Sequence, residues 1–124
     1  MGDLTPSETL LAAATLIRDT ASKAAAGHPA PWHIEPGSND WWYVGTPAPH
    51  LVTSATREPV AAWIALMSPD KAEPLAAWLE LEAEIWPVSP AHTSTERIAR
   101  RRRAALTLAR SILLTQDATT GDPS

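Results

Sequence analysis

The spacing of apolar residues changes twice along the chain and divides it into three stretches. In the first stretch, Leu10, Ala14, Ile17 and Ala21 recur every three or four positions, which predicts one apolar face of a helix. At Thr5-Pro6-Ser7-Glu8, a threonine followed three residues later by a glutamate forms a capping box, so we expect the helix to begin there. Gly27 supplies the stop signal at its other end.

The second stretch, from His28 to Thr56, is rich in proline, glycine, tryptophan and β-branched residues. Apolar and polar residues alternate there, which is typical of short strands. Three segments show the alternation and two turn-forming segments join them: Trp32–Glu35, Trp41–Val44 and Leu51–Ala55, with Pro36–Asn39 and Gly45–Pro49 between them. The sequence therefore predicts a three-stranded antiparallel meander.

A nonapeptide occurs twice in the third stretch, as EPVAAWIAL from Glu58 to Leu66 and as EPLAAWLEL from Glu73 to Leu81. Ser68-Pro69 between the copies is a helix stop, and the period is too short for a solenoid unit, so we expect two successive helices. The first copy is apolar on all sides and is predicted to be buried in the core. The second continues into Glu82 and is predicted to lie at the margin of the core.

A last helix is predicted from the capping box at Thr93–Glu96 to Thr115. Its six arginines and single glutamate give it a charge of +5, whereas residues 1–92 carry −7. Arg100, Arg103 and Arg110 face outward on the predicted helix. They would form the phosphate-binding surface if the chain were a nucleic-acid-binding regulator.

The other interpretation of this helix is structural, and it is favoured. Arg101 and Arg102 fall within the apolar stripe of the last helix, where an unpaired charge is costly. Glu82 is the one carboxylate on the apolar stripe of the preceding helix. We therefore predict that Arg101 or Arg102 pairs with Glu82, within the chain or across a dimer.

Large aromatic residues are numerous for this length, with six Trp, one Tyr and no Phe. Trp41, Trp42 and Tyr43 are consecutive in the second predicted strand, so their side chains point alternately to opposite faces of the sheet. Helices cover only one face of the predicted sheet. The exposed members of this trio are therefore predicted to form a dimer or partner interface.

A length of 124 residues suits one domain, which we place at residues 1–115 with a flexible tail at 116–124. The predicted fold class is α+β, with an N-terminal helix, a three-stranded antiparallel meander and then three helices covering one face of the sheet. The composition of 44% hydrophobic and 19% charged residues is that of a globular protein. Without a long apolar run or a signal peptide, a cytoplasmic location away from membranes is expected.

Candidate catalytic chemistry is sparse in this sequence. There is no cysteine, and no short catalytic or phosphate-binding motif occurs. His28, His33, His50 and His92 do not have the spacing of a helical metal pair. No catalytic residue, cofactor or metal site is predicted, and a small enzyme with an unrecognised site is the weaker alternative.

Four short motifs occur in order: Pro31-Trp32, Trp42-Tyr43-Val44, A-x-W-I-A-x-M-x-P at Ala61–Pro69 and L-A-x-W-L at Leu75–Leu79. In this pattern the chain resembles small proteins encoded by actinobacterial phages, by prophages and by Streptomyces-type genomes. Arginine outnumbers lysine eight to two, a usage typical of such GC-rich genomes. Ala30 before Pro31, where the pattern has glycine, and Pro74 are departures from it. The resemblance implies an accessory protein that binds a host protein, and a homodimer is expected.

Overall fold

A computed structural model describes residues 4–46, 51–86 and 96–120 of the chain. The helices and strands follow one another in the order α1 Pro6–Gly27, β1 His33–Pro36, β2 Trp42–Gly45, β3 Leu51–Thr56, α2 Glu58–Leu66, α3 Ala72–Ile85 and α4 Glu96–Thr120. A single 3₁₀ turn, Pro69–Lys71, separates α2 from α3. The predicted α+β class and the order of one helix, three antiparallel strands and three helices are therefore confirmed.

The sequence predicts one domain, and within it the structure distinguishes two compact units. One comprises the described residues of Asp19–Glu73 and holds the sheet and α2; we call it the sheet unit. The other comprises the described residues of Met1–Arg18 and Pro74–Ser124; we call it the helical unit. Each has its own buried residues, so the two are described in turn.

The sheet unit is built on three antiparallel strands in the order β1-β2-β3. Ile34 lies opposite Val44 in the first pair, and Trp42 lies opposite Thr56 in the second, which contains register irregularities. Helix α2 packs against β1 and β2. Val44 of β2 and Ala61 of α2 are fully buried, so they form the centre of this small unit.

The turn between β1 and β2 requires two residues with positive φ. Asn39 and Asp40 have φ of 57° and 65°, and the amide of Trp41 donates to the carbonyl of Ser38 at 3.1 Å. Asn and Asp adopt this left-handed conformation at lower cost than other side chains, which explains why the chain turns here. The strand that follows begins at Trp42, one residue later than predicted.

Gly37, at the start of this turn, is packed too closely to accept a side chain. A Cβ added there would overlap the Tyr43 ring and lie 3.0 Å from the carbonyl oxygen of Trp41. We expect Gly37→Ala to lower the free energy of unfolding by about 1–2 kcal/mol, because the ring and the turn must both shift. Thermal unfolding followed by circular dichroism measures the change.

Gly27→Ala is the matched control for that prediction. A Cβ at Gly27, the last residue of α1, would meet nothing within 4 Å. Since alanine is the better helix former, this variant is expected to leave stability unchanged or raise it by up to about 1 kcal/mol. Equal losses in the two variants would show that the close packing around Gly37 is not what constrains the turn.

The helical unit has a core of small and branched apolar residues from three helices. Its buried members come from α1, α3 and α4: Leu10, Ala13, Ala14, Ala76, Leu79, Ala83, Ala105 and Ala109. Alanines predominate, so the helices lie close together, and larger side chains such as Trp78 and Trp86 pack around the edge. Arg18 of α1 donates to both carboxylate oxygens of Glu80 in α3, with Nη2 2.8 Å from Oε1.

The N-terminal capping box is formed as predicted. The amide of Thr5 donates to Glu8 Oε1 at 2.9 Å, and the amide of Glu8 donates to Thr5 Oγ1 at 3.1 Å. Helix α1 ends at Gly27, the predicted stop, and α3 begins at Ala72, one residue before the predicted start.

Two further predictions fall wholly or partly beyond the described chain. The second predicted turn extends into residues 47–49, and the last capping box includes residues 93–95, all of which lie outside the described residues. Helix α4 begins at Glu96 and runs to Thr120, so it continues five residues past the predicted end at Thr115 and includes the first part of the predicted tail.

Candidate interaction surface

Helix α2 exposes its large apolar side chains. Ala61 is its only buried residue, whereas Trp63 is 63% exposed and Leu66 is 59% exposed. The prediction that the first nonapeptide copy lies in the core is therefore wrong. The physical reason is the small size of the unit. Among the described residues, α2 packs against β1 and β2, and only Ala61, Ile64 and Ala65 of the helix are buried or half-buried.

Helix α3, which contains the second copy, has the opposite environment. Ala76, Leu79, Glu82 and Ala83 are all buried there. The prediction that this copy lies at the margin of the core is also wrong, because Ala76 and Leu79 within the copy are fully buried members of the helical core. Two nearly identical segments thus have different roles.

The predicted interface residues of β2 differ in exposure. Trp41 lies just before the strand and is 39% exposed, whereas Trp42 and Tyr43 are half-buried in it. The guanidinium of Arg57 lies over the Trp41 ring, 4.7 Å from its centroid. Arg57 immediately precedes α2, so this contact brings Trp41 beside the first turn of that helix. Of the three residues, Trp41 has the surface most available to a partner.

We define the α2 face as the exposed apolar residues of α2 and its C-cap together with Trp41. Its members are Trp41, Val60, Trp63, Leu66 and Met67. Every residue from Pro59 to Met67 is apolar, so no charge interrupts this surface along the helix. Continuous exposed apolar surface of this kind marks a contact site on a folded protein.

Glu82 and Arg101 form an ion pair inside the helical unit. Arg101 Nε lies 2.8 Å from Glu82 Oε1, and the Glu82 side chain is 4% exposed while that of Arg101 is 41% exposed. The pair links α3 to α4 within one chain. Loss of Arg101 would therefore leave a buried carboxylate without a partner, whereas loss of Glu82 would leave an arginine that water can solvate.

Arg102, the other predicted partner of Glu82, contacts Trp86 instead. Its guanidinium lies 3.9 Å from the centroid of the indole ring, and Nη2 donates to the carbonyl oxygen of Trp86 at 3.1 Å. Stacking on tryptophan and donation to a carbonyl suit the planar guanidinium. Within the described residues, Arg102 Nε and Glu82 Oε2 are buried without a hydrogen-bond partner.

The three arginines that the sequence analysis places on the outward side of the last helix are exposed in α4. Arg100, Arg103 and Arg110 all face solvent, and Arg103 Nη2 lies 3.2 Å from Glu96 Oε1 on the same helix. Arg101 and Arg102 make contacts within the unit, and the other four of the six arginines are exposed: Arg97, Arg100, Arg103 and Arg110. The described geometry offers this interpretation no added support.

Two further local pairs involve titratable groups, one on β1 and one in the 3₁₀ turn. His33 Nε2 lies 3.0 Å from Glu35 Oε1 on β1, and both side chains are exposed. The Ser68 hydroxyl donates to Asp70 and, with the nearby Lys71 ammonium, lowers the pKa of that carboxyl below its ordinary value. Among the described residues, no group of three or more His, Asp or Glu is arranged to hold a metal ion. His50 and His92 lie outside those residues.

A search of the described helices for a membrane span finds none with the required length and apolarity. No protein-family model, curated protein or solved structure matches the chain. The exposed α2 face is therefore the feature of the described residues that bears most directly on function.

Proposed function

We propose that this chain is a non-enzymatic protein that acts by binding other proteins through the α2 face. The observation that carries the proposal is the 63% exposure of Trp63 on a helix that is apolar from Pro59 to Met67. Large apolar side chains left in water cost free energy unless a partner covers them, since each buried CH₂ is worth about 0.8 kcal/mol. A partner protein is the simplest source of that cover.

The residue types on and beside this surface support the proposal. Tryptophan and arginine are the residues that most often dominate binding energy at protein interfaces. Trp63 is an exposed tryptophan of this surface. Trp41 and Arg57 add a stacked tryptophan–arginine pair in the same unit. Stacking also holds the arginine side chain in place, so less conformational entropy is lost when a partner contacts it.

The biological setting that we propose is that of an accessory protein of an actinobacterial phage or mobile element, acting in the host cytoplasm. Two sequence features support it: the order of short motifs from Pro31 to Leu79, and the use of arginine over lysine. A binding protein encoded by such an element would act on a host protein. Lysate of an actinobacterium is therefore the appropriate source of partners.

The test is affinity capture from that lysate with the immobilised full chain, quantified by mass spectrometry. We expect Trp63→Ser and Leu66→Ser each to reduce recovery of the captured protein at least tenfold, because both remove apolar contact from the α2 face. Leu81→Ser is the matched control. Leu81 occupies the same position of the repeated nonapeptide as Leu66 and is 54% exposed, close to the 59% of Leu66, but it lies on α3.

Equal capture by wild type and by all three variants would refute the α2 face as the binding surface. Recovery of nucleic acid in place of protein, lost in Arg100→Glu and Arg110→Glu, would instead establish the nucleic-acid-binding alternative. Binding of that kind weakens steeply with salt, whereas apolar contact does not. Capture at two salt concentrations therefore separates the two.

A further inference from the structure

We propose that the partner seated on the α2 face is the α2 face of a second copy of this chain, in a two-fold symmetric dimer with antiparallel α2 helices. This inference rests on the proposed function, because it names the occupant of the same surface when no host protein is bound. All the residues involved belong to the sheet unit.

The first support is the absence of charge. In a two-fold dimer, the same patch meets itself, so any charge near its centre faces a like charge across the interface. Between Glu58 and Asp70 the chain contains no ionisable residue. The helical part of the α2 face, from Val60 to Met67, can therefore lie against its own copy without burying an unpaired charge, which would cost several kcal/mol. Arg57, which stacks on Trp41, precedes the helix and so lies at one end of this surface.

The second support is area. The five residues of the α2 face are 39–63% exposed. With roughly 200 Å² as the accessible area of a large side chain, they expose on the order of 500 Å² in all. Two copies would bury about 1,000 Å², which is the lower limit for a specific interface. The dimer is thus expected to be weak and to depend on concentration in the micromolar range.

The third support concerns the direction of the helices. Glu58 lies at the start of α2, and Lys71 lies beyond its end in the 3₁₀ turn, 3.2 Å from Asp70. A parallel dimer would place Glu58 beside the partner subunit's Glu58. An antiparallel one places the two Glu58 carboxylates at opposite ends of the contact, each towards an Asp70–Lys71 ion pair whose charges offset each other. It also sets the helix dipoles in opposite directions. Trp63 lies near the middle of the nine-residue helix, so it falls close to the two-fold axis.

Sedimentation equilibrium from 1 to 500 μM tests whether the dimer forms through this surface. We expect a reversible monomer–dimer equilibrium for wild type, at least a tenfold weaker association for Trp63→Ser, and no change for Leu81→Ser. Trp63 is exposed, so its replacement should not disturb folding, and far-UV circular dichroism checks this. Monomer at every concentration, or a dimer that Trp63→Ser leaves intact, would overturn the inference.

Introduced cysteines test the geometry, because the chain has none of its own. Val60 and Met67 are exposed and lie on the same side of α2 as Trp63, three residues before it and four after it. In an antiparallel dimer, Val60 of one copy lies opposite Met67 of the other, so the double variant Val60→Cys/Met67→Cys should form an intersubunit disulfide under mild oxidation. Val60→Cys alone is the control, since the two copies of that residue would lie about 10 Å apart along the axis of an antiparallel pair. Glu58→Cys should not cross-link if the helices are antiparallel, because its two copies would lie further apart still along the axis.

The outcomes separate this inference from the proposed function. Disulfide formation at equal rates in Val60→Cys alone and in Val60→Cys/Met67→Cys would indicate random collision and refute the proposed dimer. Cross-linking of Glu58→Cys would refute the antiparallel arrangement. If the chain is monomeric and Trp63→Ser still abolishes capture from lysate, the second copy is excluded as the occupant while the proposed function stands.

Discussion

Replacing Arg101 by methionine is expected to lower the free energy of unfolding by about 3 kcal/mol, since it leaves a carboxylate buried without its ion-pair partner. Glu82 is the residue left behind, and its side chain is 4% exposed. Oε2 of Glu82 already lacks a hydrogen-bond partner among the described residues, so the contact with the opposite charge is made by Oε1. Urea unfolding followed by circular dichroism measures the loss.

The reverse replacement is expected to cost less. In Glu82→Leu, the residue left behind is Arg101, whose side chain is 41% exposed and can be solvated. A leucine also fits the apolar surroundings on α3, so we expect a loss of about 1 kcal/mol or less. The double variant Glu82→Leu/Arg101→Met should recover most of the stability lost in Arg101→Met alone, because no buried charge remains.

Arg100→Met is the control for this cycle. Arg100 is exposed on the same helix, and a surface replacement of that kind changes stability by no more than about 0.5 kcal/mol. If Arg101→Met and Glu82→Leu cost the same, or if their effects simply add in the double variant, the asymmetry of burial does not govern this pair.

Local signals in the sequence were sufficient to predict the elements of this fold. Thr5 and Glu8 specify the start of α1 through hydrogen bonds within four residues, and Gly27 specifies its end. The alternation around Ile34 and Val44 predicts the first strand pair, in which these residues lie opposite each other. Such features depend only on neighbours along the chain, so they can be recognised without knowing the packing.

The environment of α2 could not be predicted in the same way. An apolar helix is expected to be buried, and that expectation holds only where other elements surround it. The sheet unit has three short strands and covers α2 on one side, so Trp63 stays exposed. The sequence did contain one relevant signal, which is the size of the apolar helix relative to the elements around it. Helix α2 is apolar from Pro59 to Met67, and three short strands cannot enclose such a helix.

The sequence left the partner of Glu82 open between Arg101 and Arg102 for a similar reason. A carboxylate on an apolar stripe must be paired, which pointed to Arg101 or Arg102, and the structure has Arg101 in contact with it. The choice between the two depends on where Trp86 lies, since its ring and carbonyl oxygen hold Arg102. That choice depends on how two helices are placed relative to each other, so it cannot be read from the spacing of residues along a single helix.

The repeated nonapeptide allows one substitution to be made in two environments with the same preceding residues. Trp63 and Trp78 each follow two alanines, but Trp63 is 63% exposed whereas Trp78 packs against the buried core of the helical unit. We expect Trp78→Ala to lower the free energy of unfolding by about 3 kcal/mol, because it removes a large ring from the edge of the core. We expect Trp63→Ala to cost less than about 0.5 kcal/mol at 1 μM protein.

Protein concentration then distinguishes exposure from function. At several hundred micromolar, a dimer through the α2 face would add stability to wild type and not to Trp63→Ala, because association stabilises only the folded state. The cost of Trp63→Ala should therefore rise with concentration, whereas that of Trp78→Ala should stay constant. Losses of unfolding free energy that are equal in the two variants and independent of concentration would mean that both tryptophans are packed in a core. That result would refute the α2 face as a binding surface.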